Sequence, residues 1–235
     1  MLDFHTHILP GVDDGSRSVD ESMQMLERMR ENGIKTVVAT PHFYANDESV
    51  ENFLARRDAA MEALRDRLQN CPDILLGAEV RYYEGISRMP DLKKLRIQNS
   101  RLMLIEMPFR QWTEYAVKEV VDISCRSGIT PVIAHVERYL FLQKKGVAER
   151  LLESGVLFQA NAVFLIGWRQ RRQALNMIQK GQIHFIGSDC HNLTDRPPNA
   201  DEAFSLIEKR LGKPFAAAFV GYGHELLLHS KENQL

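Results

Sequence analysis

The sequence predicts an α/β protein built as a seven-unit (β/α) barrel. Seven short apolar runs alternate with segments of 3.6-residue periodicity from one end of the chain to the other. Such alternation implies parallel strands, because each crossover helix must return the chain to the same edge. Six junctions end in a histidine or carboxylate: Asp3-Phe4-His5-Thr6-His7, Ala39-Thr40-Pro41-His42, Gly77-Ala78-Glu79, Leu104-Ile105-Glu106, Ile133-Ala134-His135 and Ile186-Gly187-Ser188-Asp189-Cys190-His191. A closed parallel sheet brings that many strand ends to one rim, whereas an open sheet spreads them. The 235 residues suit one domain over 1–235, and no repeat or Pro/Gly/Ser linker divides it.

The strand candidates are Leu2–Thr6, Thr36–Thr40, Ile74–Glu79, Leu102–Met107, Thr130–Ala134, Val156–Ala160 and His184–Ser188. The first helix is expected to start at N-cap Ser18, to carry Met23, Leu26 and Met29/Arg30 at helical spacing, and to stop at Gly33. The second is expected from about Ser49 to Gln69, with Phe53, Ala60 and Leu64 on one face. Others end at Gly128, Gly155 and Gly181, each just before a strand, where glycine tolerates the left-handed C′ conformation.

Composition narrows the function. With 44% hydrophobic and 26% charged residues and a net charge of −1, the chain offers no electrostatic footprint for nucleic acid or an anionic membrane. Met1-Leu2-Asp3-Phe4-His5 has neither a basic n-region nor an apolar h-region, so no signal peptide is expected. No apolar run approaches the roughly 20 residues of a membrane span. Three cysteines, Cys71, Cys125 and Cys190, make no even framework and no Cys-x-x-Cys pair, which points to a reducing cytoplasm.

Imidazole and carboxylate are ligands for Zn²⁺, Mn²⁺ and Fe²⁺, and an unpaired charge buried in an apolar strand is costly. His5 and His7 flank one residue on a strand, so both face one way. Asp13 and Asp14 follow in the next loop, and one of them can serve the turn at Gly15. Glu79 and Glu106 can bridge two ions, as imidazole cannot. Asp189 and His191 again flank one residue. Of eight histidines, five occupy these positions; His184, His224 and His229 are expected to be structural or superficial.

The ordered set His-x-His, Asp, His, Glu, Glu, His, Asp-x-His resembles the polymerase and histidinol phosphatase (PHP) superfamily. The strings Asp3-Phe4-His5-Thr6-His7-Ile8-Leu9-Pro10-Gly11-Val12-Asp13-Asp14-Gly15, Ala39-Thr40-Pro41-His42, Ala134-His135-Val136-Glu137-Arg138-Tyr139 and Gly187-Ser188-Asp189-Cys190-His191-Asn192 are similar to its bacterial protein-tyrosine phosphatase branch, linked to capsule and exopolysaccharide synthesis. Phe43 and Val136 depart from the family pattern, outside the ligand positions. The resemblance implies a distorted TIM-like barrel, the PHP domain, and three divalent metal sites with manganese favoured over iron or zinc. His5, His7, Glu79 and Asp189 would hold one ion. Glu79, Glu106 and His135 would hold a second, and Asp14, His42 and His191 a third. The choice of Asp14 over Asp13 comes from the family match. The implied substrate is a phosphotyrosine protein, a capsule-type tyrosine autokinase, in the cytoplasm.

The expected chemistry is attack of a metal-bridging hydroxide on a phosphomonoester. Arg138, three residues past His135, is the leading phosphate clamp, and Arg81, two past Glu79, is the second. Cys190-His191-Asn192-Leu193-Thr194-Asp195-Arg196 also fits the Cys-x₅-Arg spacing of thiol phosphatases, but it lacks glycine and carries acids that oppose phosphate. Arg169-Gln170-Arg171-Arg172 is a solvated face or a dock for an acidic tail. Competing readings are a small-molecule phosphomonoesterase of the histidinol-phosphate kind, an amidohydrolase-type barrel, and a silent metal-bound adaptor. An amidohydrolase would place a carbamylated lysine on a middle strand, where this chain has Glu79 and Glu106.

Overall fold

In the computed structural model, which describes residues 1–228, the first strand, β1 (Leu2–Thr6), is buried at every position. A strand covered on both faces must be apolar or have its polar groups matched, and β1 does both. Beside it lie β2 (Thr36–Ala39) and, beyond that, β4 (Asp73–Leu76), all parallel. A second parallel run orders β3 (His42–Phe43), β5 (Glu79–Arg81), β6 (Leu102–Glu106), β7 (Thr130–Ile133), β8 (Leu157–Asn161) and β9 (Phe185–Gly187). The sheet curls until β9 reaches β1. There Thr6 bridges Cys190, the His7 N–H donates to Cys190 O at 3.0 Å, and the Asp189 N–H donates to His5 O at 2.8 Å.

Two expected strands are broken. The run from Thr36 stops at Ala39, because Pro41 has no N–H to continue the ladder, and resumes as β3. The run expected over Ile74–Glu79 is interrupted at Gly77-Ala78. Hydrogen bonds from Gly77 N–H to Ala39 O (2.8 Å) and from Glu79 N–H to Pro41 O (3.0 Å) span both breaks. His42 thereby falls in register with Glu79.

Eight helices are found among the described residues: α1 (Val19–Glu31), α2 (Val50–Leu64), α3 (Glu114–Ser127), α4 (Val147–Glu153), α5 (Ala162–Ile166), α6 (Arg171–Gln179), α7 (Ala200–Leu211) and α8 (Lys213–Leu228). Ser18 and Ser49 cap α1 and α2 as expected, each accepting a backbone N–H. α2 ends at Leu64 in a 3₁₀ turn and does not reach Gln69. Two 3₁₀ turns, Ile86–Arg88 and Leu92–Leu95, occupy the β5–β6 link. No helix among the described residues is long and apolar enough to cross a membrane.

The inner core beneath the rim includes Leu2, Phe4, Val38, Leu104, Val132 and Phe185, with Phe4 stacked on Phe185 at 3.7 Å. Strict alternation would send His5 to the face opposite Phe4. The β1–β2 register slips between Asp3 and Thr6, so Phe4 joins the core while His5 and His7 meet above it. The departures Phe43 and Val136 are fully buried outer-core residues. His184 is buried and His224 half-buried, while His229 lies outside the described residues.

Candidate metal centre

Every strand-end residue singled out above arrives at one rim. Glu79 sits at its centre, 1% exposed. Its Oε2 lies 3.2 Å from His5 Nε2, 3.4 Å from His7 Nε2 and 3.1 Å from His42 Nδ1, and its Oε1 lies 2.9 Å from His135 Nε2. Asp189 Oδ1 is 3.6 Å from His5 Nε2 and 3.4 Å from His7 Nε2. Asp14 Oδ1 is 3.5 Å from His42 Nε2 and 3.3 Å from His191 Nε2.

Three donor groups could each hold an ion: His5, His7 and Asp189; His7, Asp14, His42 and His191; and His42, Glu79 and Glu106. They differ in detail from the expected sets. Glu106 groups with His42 and Glu79, whereas His135 approaches through Glu79 alone. His42 faces carboxylates on both ring nitrogens and so belongs to two groups.

Tautomers make the fit specific. Gln159 Oε1 accepts the His135 N–H at 2.7 Å, which fixes the amide as an acceptor towards His5 Nδ1 at 3.3 Å. Asp13 Oδ2 takes His7 Nδ1 at 2.7 Å. Both Nδ1 atoms therefore carry a proton, and the two Nε2 atoms, the ones turned to the cluster, face each other at 3.1 Å. Without a metal, protons on these nitrogens pair them with Glu79 and Asp189, and a divalent cation can take the place of those protons. His191 Nδ1 likewise donates to Asp189 O at 3.0 Å, leaving a buried Nε2 with no hydrogen-bond partner. Glu106 Oε2 and His135 Nδ1 are also buried without partners. Orphaned acceptors around a carboxylate core fit divalent cations.

The electrostatics agree. Burial opposes ionisation of Glu79, but His5 and the hydrogen bonds from His135 and His42 hold its carboxyl well below the usual range. Burial disfavours charge on His5, yet Glu79 and Asp189 outweigh it and raise its pKa, so a metal bound there would displace a proton. Burial, then His7 and Arg196, push His191 down to about 4, keeping it neutral as a ligand requires.

Two candidate ligand positions carry left-handed backbones: His135 at φ 32° and Asp189 at φ 55°. Non-glycine residues in that region store strain and cluster at functional sites. Asp189 is held there by Asn161 Nδ2 at 2.8 Å, with Arg138 and Arg196 each at 2.6 Å. Arg138 thus touches a carboxylate of the cluster. Arg81 is exposed, in register with Glu106 and 5.5 Å over the Tyr44 ring, which itself stacks on His42 at 5.3 Å.

Sequence reasoning missed Gln159 and Asn161, set Asp13 beside the site but chose Asp14 over it, and placed Arg196 only in the Cys-x₅-Arg loop. A polar residue inside an apolar run was the available signal for Gln159. Cys190 is fully buried, and burial, then Asp3, raises its pKa well above the ordinary value, against a nucleophilic thiolate. The N–H groups of Thr194, Asp195 and Arg196 all point at Asn192 Oδ1, not outward at an anion. Within the basic cluster, Arg171 is spent on the carbonyls of Leu165 and Ile166, ending α5.

The family model described as "Capsular polysaccharide synthesis, CpsB/CapC" matches residues 1–228. The chain belongs to the CpsB/CapC family. It is 33% identical to the tyrosine-protein phosphatase CpsB of Streptococcus pneumoniae over 230 residues, which cover 90% of this chain and 91% of that one. A crystal structure from work on YwqE of Bacillus subtilis and CpsB of S. pneumoniae, described as unique metal-dependent tyrosine phosphatases, superposes with a TM-score of 0.83 and 30% identity. That superposition covers 98% of this chain and 95% of the other. Histidinol phosphate phosphatase of Lactococcus lactis shares the fold at a TM-score of 0.57 and 14% identity, over 88% of this chain and 92% of that one. This CpsB/CapC member thus shares the curled parallel α/β fold of that enzyme.

Proposed function

We propose that this CpsB/CapC protein is a metal-dependent protein-tyrosine phosphatase whose single domain is a distorted seven-unit barrel, with β2–β3 and β4–β5 each counted as one kinked strand. The observation that carries the chemistry is the convergence of the His5 and His7 Nε2 atoms, 3.1 Å apart, on Glu79 and Asp189. His5, His7, Asp14, His42, Glu79, Glu106, His135, Asp189 and His191 would hold up to three divalent ions; this mixed nitrogen and oxygen donor set suits Mn²⁺, Fe²⁺ and Zn²⁺, and manganese is the ion the family resemblance favours. Ions bound there would acidify a water and neutralise phosphoryl oxygens.

The chain's own residues do the rest. Gln159 and Asp13 hold His5 and His7 in the ligating tautomer. Arg138 and Arg196, 41% and 40% exposed, stand at the mouth, each using one guanidinium nitrogen on Asp189 and leaving others to grip phosphate. Arg81, backed by Tyr44, is a further clamp. A phenolate leaving group, of pKa about 10, needs less protonation than an alkoxide. The proposed substrate is a phosphotyrosine protein of capsule or exopolysaccharide synthesis, a tyrosine kinase of the cytoplasm.

Turnover of a phosphotyrosyl peptide should vanish on dialysis against EDTA and return with Mn²⁺. Arg138→Ala, assayed at saturating Mn²⁺ because Arg138 also holds Asp189, should cut kcat/KM by roughly 30- to 1000-fold, the loss of about 2–4 kcal/mol of charge-assisted contact. Activity that survives thorough chelation sinks the proposal. Faster turnover of histidinol phosphate than of the peptide would transfer it to the small-molecule reading.

A further inference from the structure

Two phenylalanines stand almost fully in solvent beside the metal centre, Phe109 at 68% and Phe141 at 72% exposed. They come from different loops, after β6 and after β7, yet their rings meet edge to face at 6.1 Å. Phe109 also lies 6.4 Å from the buried Tyr139 ring, which in turn lies 5.5 Å from His135. An aromatic path of two steps thus connects the exposed rings to the candidate centre.

The backing of this pair is rigid. Gln143 staples the two loops: its Oε1 accepts the Trp112 N–H at 2.9 Å, and its Nε2 donates to Arg110 O at 3.1 Å and Tyr139 O at 3.3 Å. The Trp112 indole packs on Tyr139 at 5.5 Å and donates to Pro108 O at 3.2 Å. Exposed apolar rings held on a fixed support mark recognition surfaces more often than random surface does. The surround is basic: Arg110, Lys144 and Lys145 are exposed, and none forms an ion pair among the described residues.

We propose that Phe109 and Phe141 form a ledge that docks the peptide chain flanking the phosphotyrosine, favouring an apolar or aromatic side chain set among acidic residues. This inference rests on the phosphatase reading. The ring pair would take the flanking side chain, and the three cations would take the acids. The reacting phosphate itself stays with the metal centre and the arginines. The ledge thereby separates protein substrates from small phosphomonoesters.

The test compares wild type with Phe109→Ala/Phe141→Ala, loaded with Mn²⁺. Its probes are a short phosphotyrosyl peptide with acidic residues and one phenylalanine beside the phosphotyrosine, the same peptide with that phenylalanine changed to serine, and p-nitrophenyl phosphate. The double variant should raise KM for the first peptide by about tenfold, change kcat little, and lose most of the preference between the two peptides. Lys144→Glu/Lys145→Glu should raise KM for both acidic peptides and flatten its salt dependence. Both pairs are exposed, so melting temperatures should match wild type. An unchanged peptide KM overturns the ledge, as does an equal loss on peptide and p-nitrophenyl phosphate. A shift in oligomeric state of the phenylalanine variant would show that a second copy covers the rings, which also overturns it. Failure of wild type on every phosphate ester would instead overturn the phosphatase reading, so the two failures are distinguishable.

Discussion

Adjacent carboxylates at positions 13 and 14 have opposite environments. Asp13 is 6% exposed and accepts three hydrogen bonds, from His7 Nδ1, the His42 N–H and the Gly15 N–H, whereas Asp14 is 66% exposed and faces two imidazoles. Asp13 orients a ligand; Asp14 can be one. Asp13→Asn turns one acceptor into a donor, so His7 loses its enforced tautomer. Metal titration should show affinity falling about 10- to 100-fold, with a lowered melting temperature. Asp14→Asn should cost metal affinity and leave the melting temperature alone. Wild-type affinity in Asp13→Asn would refute the assignment. Cys190→Ser should keep most turnover, since the thiol is buried and no N–H cradle accompanies it. Eight of the nine candidate ligands were legible because a histidine or carboxylate at the end of an apolar run needs a reason; Asp14, in a loop, was chosen only by resemblance. Gln159, Asn161 and Arg196 were not legible, because amides and surface arginines are common enough to pass unnoticed until their partners are known.

At the scale of elements, the site depends on how closely β9 approaches β1. A Cβ at Gly187 would stand 2.6 Å from His5 Cβ and 2.9 Å from His5 N. Only glycine lets the two strands join at the rim. Gly187→Ala should therefore push β9 away from His5, destabilise the fold by about 1–3 kcal/mol, and weaken metal binding with it. Thermal unfolding at fixed metal concentration measures this, and an unaltered midpoint would contradict it. The breaks at Pro41 and Gly77 act in the same way, turning two continuous apolar runs into kinked strands that set His42 against Glu79. Pattern alone reads those runs as unbroken. Their continuity is local, but the kink is set by neighbours distant in sequence.

For the whole molecule, acid stability offers a test away from the metal. His184 is 9% exposed, accepts the Phe158 N–H through Nδ1 at 3.1 Å, and is pushed by burial down to about 4. A histidine whose folded pKa lies below its unfolded value of 6.5 contributes stability above pH 6.5 and loses it as pH falls towards 4. The loss is about 3 kcal/mol across that window, at 1.36 kcal/mol per pKa unit. His184→Gln retains a side-chain acceptor and cannot titrate, so its denaturant midpoint should fall less than that of wild type between pH 6.5 and 4. Parallel curves would show that His184 is not the group responsible.

The alternation of apolar runs with amphipathic segments, and the polar residues at the ends of those runs, were determined by the sequence itself. Both follow from what each residue costs to bury, and burial preference is written locally. Only the tertiary structure decided which donors share an ion, which imidazole nitrogen turns to the cluster, that Asp13 orients while Asp14 faces outward, and that Phe109 and Phe141 meet across two loops. Those outcomes depend on a few ångströms between strands far apart in the chain. A register slip in β1, two strand breaks and one glycine contact set those distances, and no periodicity in the sequence encodes them.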